Sequence, residues 1–451
     1  MIALIMWLAL SLATVGDRGM PQVVLKFSGA LMTDQSKKLV AAALRRSLLG
    51  IAIVIVVAGV LAITFKNLVE FSVEIWSLAA LLLISNHLTS IMLAAARARE
   101  HFKKASMVTV TGSLLCLPIV MMGCLMFGAV GALVGMVARN LPAILALFSY
   151  VDWSARFSKL TRREKSYAHQ LWISDSIEAL ALSRVELVIL GIFWTFSETG
   201  YFAIASMFMG LVCQLAFQAS PVLVVGFSGM GSQKRSVLYR AAFSYMALFA
   251  LPISFGGAAI SPVLMPLVFG DNFEPAVGSS IILMLGAGPA ALSVIPWAYL
   301  AGCGHGRALL WLSIVTMFSS LLILLLAVPS GGVLAAAGVR AALEVLVFLA
   351  SAAIVVKVGG PSIPWTTFAK TLAAPIPTIL YAWVITENFP SNGGLVLAIF
   401  GGAVIYLLVV RMLNIVSSRE RRHIRTIIIR RAPMNLRQSL SQVLGVFLGP
   451  S

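Results

Sequence analysis

The sequence predicts an all-α, polytopic membrane protein, and three observations carry that prediction. Hydrophobic residues make up 60% of the 451 positions and charged residues 11%, too few polar groups to cover a water-soluble domain of this length. Apolar runs of about 18 to 25 residues, the length at which a helix crosses a hydrocarbon core, alternate with short polar breaks. Every second break is crowded with lysine and arginine, while the others carry almost none, which is the positive-inside pattern.

The apolar runs give thirteen spans. The first, 1–25, runs into the basic break 17–46 (Arg18, Lys26, Lys37, Lys38, Arg45, Arg46). Span 47–65 ends at the acidic break with Glu70 and Glu74, and 77–95 returns to Arg97, Arg99, Lys103 and Lys104. Spans 107–127 and 130–150 form a pair leading to Arg156, Lys159, Arg162, Arg163 and Lys165. Spans 171–194 and 199–226 flank Glu198 and end at Lys234, Arg235 and Arg240. Spans 241–268 and 277–300 enclose Asp271 and Glu274 and end at Arg307. Spans 309–328 and 333–356 reach Lys357 and Lys370, and 369–387 with 395–413 enclose Glu387 before a basic tail, Arg411 to Arg437. The basic breaks hold 29 of the 33 lysines and arginines, so their side is cytoplasmic.

The net charge of +17 therefore reports orientation in a membrane, and nucleic acid is excluded as a partner because the cations lie in loops between spans. Cys116, Cys124, Cys213 and Cys303 lack metal-ligand spacing and read as small buried hydrophobes; no metal or cofactor site is expected. Thirteen is odd, so a cytoplasmic tail sets Met1 outside. The opening MIALIMWLAL lacks the basic n-region of a cleavable signal, and a start displaced past one helix is the expectation that restores parity. After Arg411 the residues Leu436, Leu440, Val443, Leu444 and Phe447 recur at helical spacing, predicting an amphipathic helix on anionic membrane lipids.

An internal repeat underlies the pattern. Pro21-Gln-Val-Val-Leu-Lys-Phe-Ser-Gly29 recurs 200 residues later as Pro221-Val-Leu-Val-Val-Gly-Phe-Ser-Gly229, each copy leading into a basic loop. In this register the span 171–194 has no partner in the first half.

Further motifs carry a resemblance. Gly-Asp-Arg-Gly-Met-Pro (16 to 21) enters a basic loop; Ser183-Arg-Val-Glu-Leu-Val-Ile-Leu-Gly191 precedes Glu198-Thr-Gly-Tyr201-Phe-Ala-Ile-Ala. Leu267-Val-Phe-Gly270-Asp-Asn-Phe and Ala301-Gly-Cys-Gly-His-Gly-Arg307 follow the spans 241–268 and 277–300. In this order, over essentially the whole chain, the sequence resembles the Wzx-type polysaccharide flippases of the superfamily that also holds the MATE drug exporters and the lipid II flippase MurJ. It departs from them in lacking a first helix and in carrying Glu186 where relatives often have aspartate. The resemblance implies fourteen helices in a full-length member, as two pseudo-symmetric six-helix bundles and a C-terminal pair. Here that means bundles at 1–150 and 171–356, a basic linker at 151–170, a helix pair at 369–413 and a tail at 414–451.

Charges within spans are the candidate site, because an ionisable group at membrane depth is costly and faces a bundle interior or a wet cavity. Arg18, Arg139, Arg184 and Arg340 suit an anionic, diphosphate-linked substrate, since guanidinium binds phosphate through paired donors and stays charged. Arg139 has no acidic neighbour within a turn and is the leading candidate. The others have second readings: Arg340 as an i,i+4 partner of Glu344, Arg18 and Lys26 as snorkelling groups, Arg184 as part of a network with Asp175, Glu178 and Glu186. Asp17, Asp175, Glu178, Glu186 and Glu344 are candidates for coupling a proton or sodium ion. His87, beside Asn86, reads as a satisfied polar group between helices. Pro252, Pro262, Pro266, Pro289, Pro296, Pro375 and Pro377 are candidate hinges or static kinks.

The expected function is a bacterial inner-membrane transporter that flips a lipid-linked oligosaccharide by alternating access, the resemblance implying an undecaprenyl-diphosphate carrier and polysaccharide-assembly proteins as partners. A cation-coupled exporter of drugs or metabolites ranks second, because it calls for an acidic cavity. A polysaccharide polymerase or ligase ranks third: no external loop offers a nucleophile and base, the longest external break, Lys66 to Trp76, is about eleven residues, and no Walker-type loop is present.

Overall fold

The computed structural model describes residues 12–64, 73–154, 160–179, 185–389 and 391–415, and among them the regular backbone is all helical. Its helices are α1 (Met20–Phe27, preceded by a helical stretch at 12–17), α2 (Thr33–Thr64), α3 (Val73–Ala98), α4 (Phe102–Ala138) and α5 (Leu141–Leu147). They continue with α6 (Arg162–Ile177), α7 (Val185–Phe193), α8 (Phe196–Gly229), α9 (Ser232–Phe269) and α10 (Val277–Cys303). The last are α11 (Gly306–Lys357), α12 (Trp365–Ala373), α13 (Ile376–Asn388) and α14 (Asn392–Met412).

Nine helical stretches among the described residues are long and apolar enough to cross a membrane. Two of them cross twice. The 52 residues of α11 would extend about 78 Å if straight, against a hydrocarbon core of about 30 Å. The chain reverses at Gly332 (φ 55°, ψ −139°), and α4 reverses at Gly128 (φ 56°, ψ −129°), a region of backbone space that only glycine enters freely. In the α4 hairpin the limbs touch through further glycines: a Cβ on Gly123 would lie 2.6 Å from the carbonyl oxygen of Gly131. The hydropathy pattern predicts about thirteen spans; among the described residues these nine stretches are joined by the helical segment ending at Phe27 and by α6 and α7.

The internal repeat is visible in backbone geometry. Glu100 and Gly304 both have positive φ (60° and 89°) and end α3 and α10 in the same way. The amide of His101 donates to Ala96 O at 3.0 Å and that of His305 to Leu300 O at 2.8 Å. Inside those bonds Glu100 N donates to Arg97 O and Gly304 N to Ala301 O, completing two Schellman motifs. The pairs 100/304, 101/305 and 128/332 share a spacing of 204, four more than the sequence motif at Pro21 and Pro221.

Contacts gather into two compact units. One comprises Met1–Val185, Gln218–Arg235 and Trp297–Leu321; the other comprises Glu186–Phe217, Ser236–Pro296 and Leu322–Ser451. The first unit joins α6 to the start of α11 by a buried pair of hydroxyls, Ser174 and Ser313, 2.6 Å apart. In the second, Phe243 of α9 meets Phe348 of α11 and Phe368 of α12, and Tyr406 Oη of α14 donates to Leu248 O of α9 at 2.6 Å. Pro252, Pro262, Pro266, Pro289 and Pro296 all lie inside continuous helices.

Two sequence readings change. Only Cys213 of the four cysteines is buried; Cys124 is exposed and Cys116 and Cys303 are half-exposed, because an apolar run buries one face of a helix in protein and leaves the rest for lipid. Lys26 does not snorkel: its Nζ donates to Ala301 O at 3.3 Å and lies 4.2 Å from the ring of Tyr167. The predicted amphipathic tail lies outside the described residues.

Candidate functional site

Two spans of the first unit are broken, and each break carries an arginine. At the first, residues 12–17 and α1 are separated by Arg18 and Gly19. Pro21 has no N–H, so the carbonyl of Asp17 loses its helical donor, and the ladder fails two residues earlier as well. Gly19 N turns to Asp17 Oδ1 at 2.7 Å, and the carbonyl of Val15 that it abandons accepts the indole N–H of Trp172 at 2.7 Å. Arg18, with φ 57°, is exposed, and the stem of its side chain lies over Gly50 of α2.

The second break separates α4 from α5 at Arg139 and Asn140, with Pro142 in the first turn of α5. Asn140 is buried and pins the break to α3: its Nδ2 donates to Ser85 Oγ at 3.1 Å and to Asn86 Oδ1 at 2.7 Å, while its carbonyl accepts from Thr89 Oγ1. The carbonyl of Arg139 rests on Gly112, where a Cβ would come within 2.1 Å of it. The guanidinium of Arg139 is exposed and forms no hydrogen bond or ion pair among the described residues. Beside this network His87 Nε2 lies 2.7 Å from Ser47 Oγ, joining α3 to α2.

The sequence announces both breaks in the same words. Arg18-Gly-Met-Pro21 and Arg139-Asn-Leu-Pro142 each place arginine three residues before a proline within an apolar run. That shared spacing is the signal that marks the pair.

In the second unit the charge is arranged differently. Arg340 of α11 donates to Glu186 Oε1 of α7 at 3.0 Å and to Glu344 one turn along at 2.9 Å. Glu186 is almost fully enclosed, at 4% side-chain exposure, against 29% for Arg340. The Arg340 and Glu344 pairing expected from their spacing forms, and Glu186, 154 residues away, completes it. Arg184 lies outside the described residues.

The remaining acidic candidates meet in the first unit. Asp175 of α6 accepts from Gln22 Nε2 of α1 at 3.4 Å, and the charges of Asp17 and Glu178 act on it. The five coupling candidates thus divide into Asp17, Asp175 and Glu178 on one side and Glu186 with Glu344 on the other.

Comparison with known proteins is consistent with this architecture. Residues 1–278 match the model of a family described as "Polysaccharide biosynthesis protein". Among solved structures, the fold is similar to the lipid II flippase MurJ in an inward closed conformation, at 13% identity and TM-score 0.64, covering 90% of each chain. It is also similar to a point mutant of the Vibrio cholerae MATE transporter VcmN, at 13% identity and TM-score 0.67, over 77% of this chain and 87% of that one. The MATE transporter ClbM in complex with Rb+ matches at 14% identity and TM-score 0.60, over 78% and 85% of the two chains. A search of curated proteins returns no match.

Proposed function

Because the chain belongs to the family of polysaccharide biosynthesis proteins, we propose that it flips a lipid-linked oligosaccharide from the cytoplasmic to the outer leaflet of the bacterial inner membrane by alternating access. The observation that carries this reading is the pair of arginines at helix breaks. Arg18 and Arg139 stand exposed where the backbone itself is interrupted, and interrupted helices are how membrane transporters build polar sites at depth. On this reading they bind the diphosphate of the carrier lipid, and Arg184 is proposed to join them. Arg340, already neutralised by two carboxylates, serves the site by fixing α7 against α11. The prenyl chain stays in lipid, and the basic tail faces the cytoplasm.

Outward movement of negative charge from a negative interior is favoured by about 2.3 kcal/mol per charge per 100 mV, so the membrane potential drives export without nucleotide. The test is translocation of a fluorescent prenyl-diphosphate oligosaccharide in proteoliposomes. The intact protein moves the lipid, and Arg139→Ala or Arg18→Ala slows it at least tenfold, about 1.4 kcal/mol.

The acidic trio of Asp17, Asp175 and Glu178 favours a second reading, a cation-coupled exporter of drugs or metabolites. Export of a cationic dye in exchange for protons, with no lipid moved, would establish it and demote the arginines to structural groups.

A further inference from the structure

On the cytoplasmic side of the first unit, cations converge where no carboxylate among the described residues pairs with them. Lys26, at the end of α1, reaches the carbonyl of Ala301 at 3.3 Å and the face of Tyr167 at 4.2 Å. Tyr167 Oη donates to the same carbonyl at 3.0 Å, and the ring of Phe27 packs edge-on against Tyr167. Gly304, with φ 89°, leaves the space that Lys26 enters, since a Cβ there would sit 2.6 Å from Nζ. Arg163 lies one turn before Tyr167 on α6, and its charge and that of Arg235 both repel Lys26. Arg235 in turn holds Cys303 with its side chain, yet its Nε is shielded from solvent and has no acceptor. His305 is near enough for Lys26 to act on it; burial, and then the charge of Lys26, hold its imidazole below the ordinary range.

The positive-inside rule explains why cations lie on this side, as Lys38, Lys103 and Lys104 do, exposed near the starts of α2 and α4, but it gives no reason for them to converge between helices. The carbonyl end of α10 explains Lys26 alone. Glu164, the carboxylate next to Arg163, is spent on its own capping box with Thr161. None of Lys26, Arg163 or Arg235 forms an ion pair among the described residues. Like charges brought together with a buried, unsatisfied donor are stabilised by an anion carrying several acceptor oxygens.

We propose that Lys26, Arg163, Arg235 and His305 form a phosphoryl-binding site at the cytoplasmic end of the first unit, separate from Arg18 and Arg139. The ligand class is a phosphate or diphosphate group. The cargo proposed above is one source of it, and an anionic phospholipid headgroup or free phosphate is another; the site itself does not depend on what the protein carries.

Cys303 is a native reporter, because it is half-exposed and lies against Arg235. The full chain carrying Cys116→Ala, Cys124→Ala and Cys213→Ala is placed in phosphatidylcholine nanodiscs, and the rate of maleimide labelling at Cys303 is measured with and without millimolar inorganic pyrophosphate. Pyrophosphate is expected to slow labelling at least fivefold, Lys26→Gln and Arg235→Gln to abolish that protection, and Lys26→Arg to retain it. In nanodiscs containing phosphatidylglycerol, protection before pyrophosphate is added supports the site and assigns its ligand to lipid. The proposal is overturned if pyrophosphate gives no protection, if potassium chloride of equal ionic strength protects as well, or if the glutamine variants are protected like the parent. No lipid-linked sugar enters this experiment, so its outcome stands apart from the translocation assay.

Discussion

The two helical hairpins share a plan and differ in what they do with charge. Each reverses at a glycine with nearly the same dihedral angles, Gly128 in one and Gly332 in the other. The shared spacing of 204 places Asn140 opposite Glu344 and Met136 opposite Arg340. In the first hairpin the returning limb breaks at Arg139, and the polar group facing its neighbours is the neutral Asn140, whose Nδ2 bonds to Ser85 and Asn86. In the second the limb runs unbroken to Lys357, and its arginine is clasped between two glutamates. Among the described residues, one scaffold therefore presents an unpaired cation in one half and a neutralised one in the other. In the function proposed above the first is available to an external anion, whereas the clasped one holds helices together.

The largest effect that tests this difference is on stability. Arg340→Ala leaves Glu186 and Glu344 as like charges without a cation, the situation in which breaking a buried ion pair costs about 3 kcal/mol or more. Partial exposure of Arg340 places the expected loss at the lower end. Thermal unfolding of the purified protein should show a clear drop in Tm, and adding Glu186→Gln and Glu344→Gln to Arg340→Ala should recover part of it. Equal Tm values for Arg340→Ala and Arg139→Ala would erase the distinction between the hairpins.

Asn140→Ala is expected to come next, at about 1 to 2 kcal/mol, because it removes two side-chain bonds and leaves Asn86 Oδ1 without its donor. Measured against Ser85→Ala in the same unfolding assay, it should be the more damaging, since Ser85→Ala removes only one of the two bonds that Asn140 Nδ2 makes between helices.

How far these features were legible follows from their range along the chain. Span number and reversal points depend on local hydropathy and on glycine, so the α4 hairpin emerges from composition alone. The Arg340 and Glu344 pair was legible because i,i+4 spacing fixes proximity on one helix. Glu186 was not, because its approach to Arg340 depends on packing between α7 and α11, and the same holds for Asp175 meeting Gln22. Lys26 misled for a related reason: a lysine after an apolar run reads as interfacial, and nothing local reveals a carbonyl 275 residues away. The arginine-to-proline spacing at both breaks was present in the sequence, and its consequence depends on a physical rule, the missing amide of proline.

The smallest stability effect belongs to the residue with the largest proposed functional one. Arg139→Ala removes a side chain that is exposed and has no partner among the described residues, so unfolding should shift by no more than about 0.5 kcal/mol. Pro142→Ala restores an amide to the broken limb and is expected to leave Tm unchanged or raise it, as the helix closes across the break. Both variants should nevertheless lose lipid translocation, the first by deleting the cation and the second by turning it away from where the break presents it. If Pro142→Ala keeps full translocation, the break is dispensable and Arg139 acts from an ordinary helix. If Arg139→Ala unfolds as readily as Arg340→Ala, the first hairpin also uses its arginine as a clasp, and the contrast between the halves fails.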